Sequence, residues 1–247
     1  MRRRDLLFAT LAILAVWEAA ALLVDRPILP DPLLVLATLA RETGRGLPAH
    51  FLASLLRVFA GIAISVALAA PAGLVIGQSK RLDRFFKPLV YILYPIPKVV
   101  FVPVVFLVIG IGDAAKVVII VIILFFQILV LVRDQAAAVP PALVASLRSL
   151  GAGRRALFRF VYLPACLPAM LTALRQSVGT AVAVLYIAEL FATRWGLGYY
   201  IYYEGGTLMD YPAMYAGVLA MSLLGLGLYF GIDRLERRLC PWMIARD

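Results

Sequence analysis

Residues 114–132 run for nineteen positions with one charge, Lys116, and with neither proline nor glycine. About 20 apolar residues, each rising about 1.5 Å, cover the hydrocarbon core of a bilayer as a helix. This run therefore predicts a membrane span, Ala114–Val132, and it is one of several. Leu6–Val24, Phe51–Gly77, Pro88–Gly112, Ala165–Leu190 and Pro212–Ile232 complete a set of six. The chain is 64% hydrophobic and only 15% charged, whereas soluble domains sit near 45–50% apolar and about 25% charged. The expected fold is an all-α integral membrane protein.

The third span carries Pro95, Pro97 and Pro103. Each proline removes a backbone donor and leaves a carbonyl free, which a membrane tolerates only where protein or a water-lined cavity satisfies it. The first span follows Arg2-Arg3-Arg4 and ends near Ala19-Ala20-Ala21, a pattern shared with cleavable leaders. Trp17-Glu18 ahead of the alanines makes a poor processing site, so an uncleaved span is expected. Between the first two spans, Asp25–Ala49 is proline-rich. Leu33, Leu34, Ala37 and Ala40 give it one apolar face of a short surface helix opened by Asp31-Pro32. Gln78–Lys87 reads as a short basic loop, and Asp233–Asp247 as a basic tail.

The formal net charge of +10 suggests nucleic acid only until the basic residues are placed. With the N-terminus inside, segments 1–5, 78–87, 133–165 and 233–247 hold 16 of the 24 lysines and arginines. The outer segments hold five: Arg26, Arg41, Arg45, Lys116 and Arg194. That bias orients a six-span bundle with both termini in the cytoplasm and needs no nucleic-acid groove. Cys166 and Cys240 fall near cytoplasmic span ends and suit neither a disulfide nor a metal site. His50 is the one histidine, and no metal-ligand cluster or phosphate-cradling glycine loop is present. This chain is expected to bind no metal, cofactor or nucleotide itself.

Arg133–Pro164 is too long for a simple connector. Leu143, Leu147 and Leu150 have helical spacing, and Gly151 breaks the run. Leu157 and Val161 then suit a second short helix, which Pro164 closes. Arg148, Arg154, Arg155 and Arg159 are expected in water.

Gly151, followed in register by Val161 and Leu163-Pro164, resembles the cytoplasmic EAA loop of permeases in binding-protein-dependent ABC importers. The family's Glu-Ala-Ala triplet is replaced here by Ala145-Ser146-Leu147. The resemblance implies a type I importer permease in a bacterial inner membrane. Its loop, with Ala145, Ser146, Leu147, Arg148, Gly151, Ala152, Leu163 and Pro164, would couple to a cytoplasmic ATP-binding subunit. ATP and Mg would be bound by that partner. An extracytoplasmic solute-binding protein and a second, identical permease subunit are implied as well. Ser54–Gly61, Pro95-Ile96-Pro97, Ile109–Gly112, Leu174-Arg175, Ala188-Glu189, Gly196–Tyr199 and Asp233–Arg238 resemble the nitrate/sulfonate/taurine branch. The domain division that follows is 1–50 for the first span and connector, 51–232 for the permease core with its loop at 133–165, and 233–247 for the tail.

Charges inside spans cost about 2.5–3.5 kcal/mol each at mid-depth, so Lys98 and Arg175 need an explanation. Tyr91, Tyr94 and Lys98 fall at i, i+3 and i+7, on one face of a continuous helix. Arg175, Tyr186 and Glu189 share a face of the fifth span. These six residues are candidates for the translocation pathway, where Lys98 or Arg175 would attract an anionic solute. The competing reading is that both cations bind free carbonyls or a carboxylate and hold helices together. Gln127, Gln176, Ser177 and Thr180 are open to the same two readings.

A membrane-embedded enzyme would need clustered carboxylates or histidines, and Asp113, Glu189, Glu204 and Asp210 are scattered along the chain. A secondary transporter often shows internal repeats, and residues 51–132 and 166–232 show none by inspection. The positive charges favour a small anion such as a sulfonate, taurine, nitrate or bicarbonate. A heterocyclic vitamin precursor stays open.

Overall fold

The structure, a computed structural model, describes residues 3–191 and 193–244. Arg2 of the basic start and residues 245–247 of the tail lie outside the described residues. Twelve α-helices carry the described chain, with no strand among the described residues. Five helical stretches are long and apolar enough to cross a membrane: Leu7–Val24, Leu47–Gln78, Asp113–Ala137, Arg154–Glu189 and Tyr211–Leu239. Lys80–Leu93 and Lys98–Ile109 make a sixth crossing if taken together, bent by 76° at the break. The chain packs as two compact units, one of Met1–Leu55 with Glu189–Leu224 and the other of Leu56–Ala188 with Gly225–Asp247.

In the first unit, α1 (Arg3–Val24) is followed by a turn and by α2 (Pro32–Glu42). Trp17 Nε1 donates to the Pro30 carbonyl at 3.1 Å, and the Trp17 ring lies 5.8 Å from that of Tyr215. Asp31 caps α2, its carboxylate accepting from the Leu34 N–H at 2.8 Å, with Pro32 just inside the start. The expected apolar face is inverted. Leu33, Leu34, Ala37 and Ala40 are exposed, while Pro32, Val35 and Thr38 are buried. In a protein surrounded by lipid, apolar side chains are equally at home facing outward, so hydrophobicity does not select the packed face.

In the second unit, α3 (Leu47–Gln78, from Leu56 onward) packs on α6 (Asp113–Ala137). Gly73 and Gly77 are four residues apart and share one α3 face. A Cβ at Gly73 would stand 2.9 Å from the Leu129 carbonyl oxygen, and one at Gly77 would fall on that of Arg133. A Cβ at Gly61 would instead fall on the side chain of Ile120. The glycines let two backbones approach, which is how helices associate where lipid removes the hydrophobic drive. Ile119, Ile120, Leu124, Ile128 and Val132 of α6 are buried against this interface.

Two boundaries differ from expectation. Gln78–Lys87 is not a loop, because α4 (Lys80–Leu93) begins within it and Ser79 Oγ accepts from the Leu82 N–H at 3.4 Å. Leu82, Phe85, Phe86 and Leu89 recur at helical spacing among the charges, and that period wins over polarity. The third span is not one helix either. It stops at Leu93; a 3₁₀ turn covers Lys98–Phe101; and α5 (Val102–Ile109) starts with Pro103 where a missing N–H is harmless. The sixth span, α11 (Tyr211–Leu239), extends seven residues into the expected tail, and Pro241 opens a last turn, α12 (Pro241–Ile244).

Candidate functional site

The 133–164 segment begins as the end of α6, which runs on to Ala137. Arg133 is buried there, and its Nε donates to Asp83 Oδ1 at 2.6 Å. Helix α7 (Pro141–Ser149) then ends in a Schellman turn. The Ala152 N–H donates to the Leu147 carbonyl at 3.1 Å, and the Gly151 N–H to that of Arg148 at 3.0 Å. Gly151 holds φ at 80°, a left-handed conformation that glycine adopts without steric cost. Leu147 and Ala152 both pack on a buried cluster of Val139, Leu157 and Val161, joined by Tyr162 and Ala165. The turn is thus fixed by its own hydrogen bonds and by apolar contact on one side.

The other side is open. Leu150 is 83% exposed and Leu143 45%. Ala145, Ser146, Arg148, Arg154, Arg155 and Arg159 are also exposed. Of the expected Leu143–Leu147–Leu150 face, only Leu147 is turned inward. A cleft of about 460 Å³ lies beside α7, lined by Gln78, Lys80, Asp83, Ala145, Arg148 and Tyr162 among others.

Pro164 does not close the second helix. Helix α8 (Arg154–Leu157) passes through a π turn, Phe158–Tyr162, directly into α9 (Leu163–Glu189). The Leu163 N–H bonds back five residues to the Phe158 carbonyl. The extra residue in that turn accommodates the ring and missing donor of Pro164 without ending the helix. Leu163 and Pro164 are half-buried at this junction.

The in-span residues separate into different roles. Tyr91, Tyr94 and Lys98 do not share a helix face, because α4 ends before Lys98. Lys98 Nζ instead donates to three carbonyls: Leu93 at 3.1 Å, Tyr94 at 3.0 Å and Ile96 at 3.3 Å. It also stands 4.8 Å from the centre of the Phe126 ring. Its ligands are the Leu93 carbonyl, which Pro97 cannot bond, and two carbonyls beyond the helix end. Tyr94, Lys98, Phe126, Gln127 and Thr180 line one cavity of about 350 Å³, into which Tyr91 does not reach. Gln127 Oε1 is buried with no hydrogen bond.

Arg175 Nη1 lies 3.1 Å from Asp233 Oδ1 and 3.0 Å from Glu236 Oε2, both on α11. Thr172 Oγ1 donates to the other oxygen of Glu236 at 3.2 Å. Tyr186 is half-buried. Glu189 is fully buried and belongs to a different network. Its carboxylate accepts from Ser54 Oγ at 2.8 and 2.9 Å and from the Gly198 N–H at 2.8 Å, while the Leu197 N–H donates to Ser54 Oγ at 2.8 Å. Glu189 and Ser54 together cap α10 (Leu197–Tyr202), whose own cap residue is Gly196. The shared face of Arg175, Tyr186 and Glu189 is therefore not one site.

Other ion pairs were not legible in sequence. Arg57 is buried and reaches Asp113 Oδ1 at 2.7 Å through Nη2 and 2.9 Å through Nε; Lys116, also buried, lies 4.0 Å from the same oxygen. His50 Nδ1 lies 3.1 Å from the Gly196 carbonyl oxygen and 3.2 Å from the Gly196 nitrogen, so the ring pairs with that backbone unit in either tautomer. Its ring is surrounded by those of Trp195, Tyr199 and Tyr200 at 5.2–6.0 Å. The sequence signal was the aromatic run after Arg194, and no spacing rule ties it to a histidine 146 positions away.

Residues 61–241 match the family described as binding-protein-dependent transport system inner membrane component. The chain belongs to this family. Its members are permease subunits of ABC importers, not enzymes, and this permease is a multi-pass protein of the inner membrane. It is 30% identical to the taurine transport system permease protein TauC of Escherichia coli (strain K12), over 98% of this chain and 90% of that protein. It is 29% identical to the formylaminopyrimidine transport permease protein ThiX of Halalkalibacterium halodurans, over 94% and 93%. In fold it is similar to the inward-facing MetNI methionine ABC transporter, with a TM-score of 0.66 at 21% identity over 76% of this permease and 93% of that chain. An importer permease of this family works with an ATPase and a binding protein.

Proposed function

We propose that this permease forms the solute pathway of an ATP-driven importer and receives its drive through the turn at Gly151. The observation that carries the reading is the two-sided construction of that turn. One side is anchored by Leu147 and Ala152; the other presents Leu150, Leu143 and four arginines outward. An apolar residue flanked by cations suits a groove on a cytoplasmic ATP-binding subunit, which would hold ATP and Mg. Two identical permease subunits would enclose the pathway, with both termini in the cytoplasm. A solute-binding protein would deliver at the outer face. Nucleotide drives alternation between inward- and outward-open forms only by binding them unequally.

The solute is a small sulfonate-class anion or zwitterion. Relatives named for taurine and for aliphatic sulfonates support this, since each aligns with more than nine-tenths of the chain. The formylaminopyrimidine and riboflavin permeases support a vitamin precursor as the second reading. The cavity holding Tyr94 and Lys98 is the pathway candidate in the second unit. Lys98 acts there through the field of a saturated cation rather than through a free donor.

The test is co-purification of the tagged permease with its genomic neighbours in mild detergent, followed by uptake of labelled taurine and of a formylaminopyrimidine. A stoichiometric ATPase that is lost in Gly151→Trp supports the coupling turn. A stable permease that transports with no ATPase overturns it.

A further inference from the structure

The first unit contains a second cleft, of about 330 Å³, on the segment between the last two spans. Its walls are aromatic: His50, Trp195, Tyr199, Tyr200 and Tyr203, with Tyr199 and Tyr203 stacked at 5.5 Å. Tyr200 is 6% exposed, and its hydroxyl is buried without a hydrogen bond of normal geometry. The charges around that hydroxyl are Glu42, Glu204 and Asp210. Asp210 is occupied as the cap of α11, accepting from the Ala213 N–H at 3.0 Å. Glu42 is shared by Arg41 at 3.3 Å and Arg45 at 3.7 Å. Glu204 is half-buried and makes no ion pair among the described residues. Burial and the neighbouring Asp210 and Glu42 hold its carboxyl above the ordinary carboxylate range. Arg45 and Arg194, both exposed, stand on the rim.

A negative floor, aromatic walls and a positive rim have one complement. A protonated amine satisfies a carboxylate and a tyrosine hydroxyl and gains from facing aromatic rings. An anionic group a few bonds away then meets the arginines. We propose that this cleft binds a small zwitterion, its ammonium held by Glu204, Glu42 and the Tyr200 hydroxyl and its anionic head by Arg45 and Arg194. The inference rests on the importer reading and narrows it, because the site is selective for an amine and not merely for an anion.

The test uses the full permease with its ATPase in nanodiscs. Taurine is the zwitterion, and ethanesulfonate is the same anion without the amine. Binding is followed by tryptophan fluorescence, for which Trp195 in the wall is the reporter. Taurine should saturate the signal, and ethanesulfonate should bind at least about tenfold more weakly, the loss of one charge-assisted hydrogen bond. Glu204→Gln and, separately, Tyr200→Phe should reduce that preference. Equal affinity for the two probes, no saturable binding, or an unchanged preference in both variants overturns the site. ATPase association is scored on the same preparations. A complex that assembles but shows no amine preference sinks the cleft alone; failure to assemble sinks the importer reading.

Discussion

Ser54 Oγ stands 2.8 Å from one carboxylate oxygen of Glu189 and 2.9 Å from the other, with both residues fully buried and 135 positions apart in the chain. The same hydroxyl accepts the Leu197 N–H. One serine therefore links the opening of α3, the end of α9 and the start of α10. Glu189→Ala leaves the Gly198 N–H and the Ser54 hydroxyl without their acceptor, and each buried unsatisfied group costs about 1–3 kcal/mol. We expect a lower unfolding midpoint in detergent and faster proteolysis of the 191–211 segment. Wild-type cleavage in that variant would show that other contacts hold α10.

Lys98→Met removes one donor group from three carbonyls at once. The expected result is a loss of stability of a few kcal/mol at most, with partial rescue by Lys98→Arg, which keeps the donors. Thermal unfolding separates this from solute contact. An unchanged midpoint with a raised KM would make Lys98 a ligand for the solute instead.

Gly151 has open space around its position, so a substitution there meets no neighbour and strains only the backbone. A left-handed conformation costs a non-glycine residue about 1–2 kcal/mol, less for asparagine and more for a β-branched side chain. Gly151→Asn should keep ATPase association and Gly151→Val should weaken it, with membrane insertion equal in both. Equal pull-down of the ATPase by the two variants would remove the turn conformation from the coupling argument.

Glu204 offers a pH test. Its folded carboxyl titrates above the ordinary value of 4.5, so folding takes up a proton between the two values. Below the ordinary value the carboxyl is neutral folded and unfolded, and no penalty exists. As pH rises through the raised value, the charged form becomes a cost to the fold. Glu204→Gln should therefore unfold at a higher temperature than the parent at pH 8, and the gap should close near pH 4. A gap that grows on acidification would reverse the assignment.

Arg175 binds two carboxylates of one helix. Arg175→Leu leaves Asp233 and Glu236 facing each other without it, with Arg237 still 3.0 Å from Asp233. We expect a lower yield of folded permease, recovered in part by Arg175→Leu combined with Glu236→Gln. A double variant no better than the single would show that the arginine acts outside this network.

The spans were legible because nineteen uncharged or nearly uncharged positions allow few alternatives. The Gly151 turn was legible because a glycine after a leucine run has one common use. Other features were not. The face of α2 was misread because lipid rewards an outward leucine as well as an inward one. The Tyr91–Lys98 stripe was misread because periodicity assumes an unbroken helix, and two prolines ended it. Asp113, Asp83 and Asp233, which pair with Arg57, Arg133 and Arg175, lie fifty or more positions from them, beyond any local pattern.

The π turn at Phe158–Tyr162 has a mechanical consequence. Arg154 to Glu189 is one uninterrupted helical rod of 36 residues, roughly 54 Å long at 1.5 Å per residue. Val161, held in the Val139–Leu157 cluster, sits near one end of it. A force applied beside Gly151 therefore meets a lever with a short arm and a long one, not a slack tether. A small tilt at the Arg154 end becomes a larger sweep at the Glu189 end, and the fulcrum is three buried aliphatic side chains.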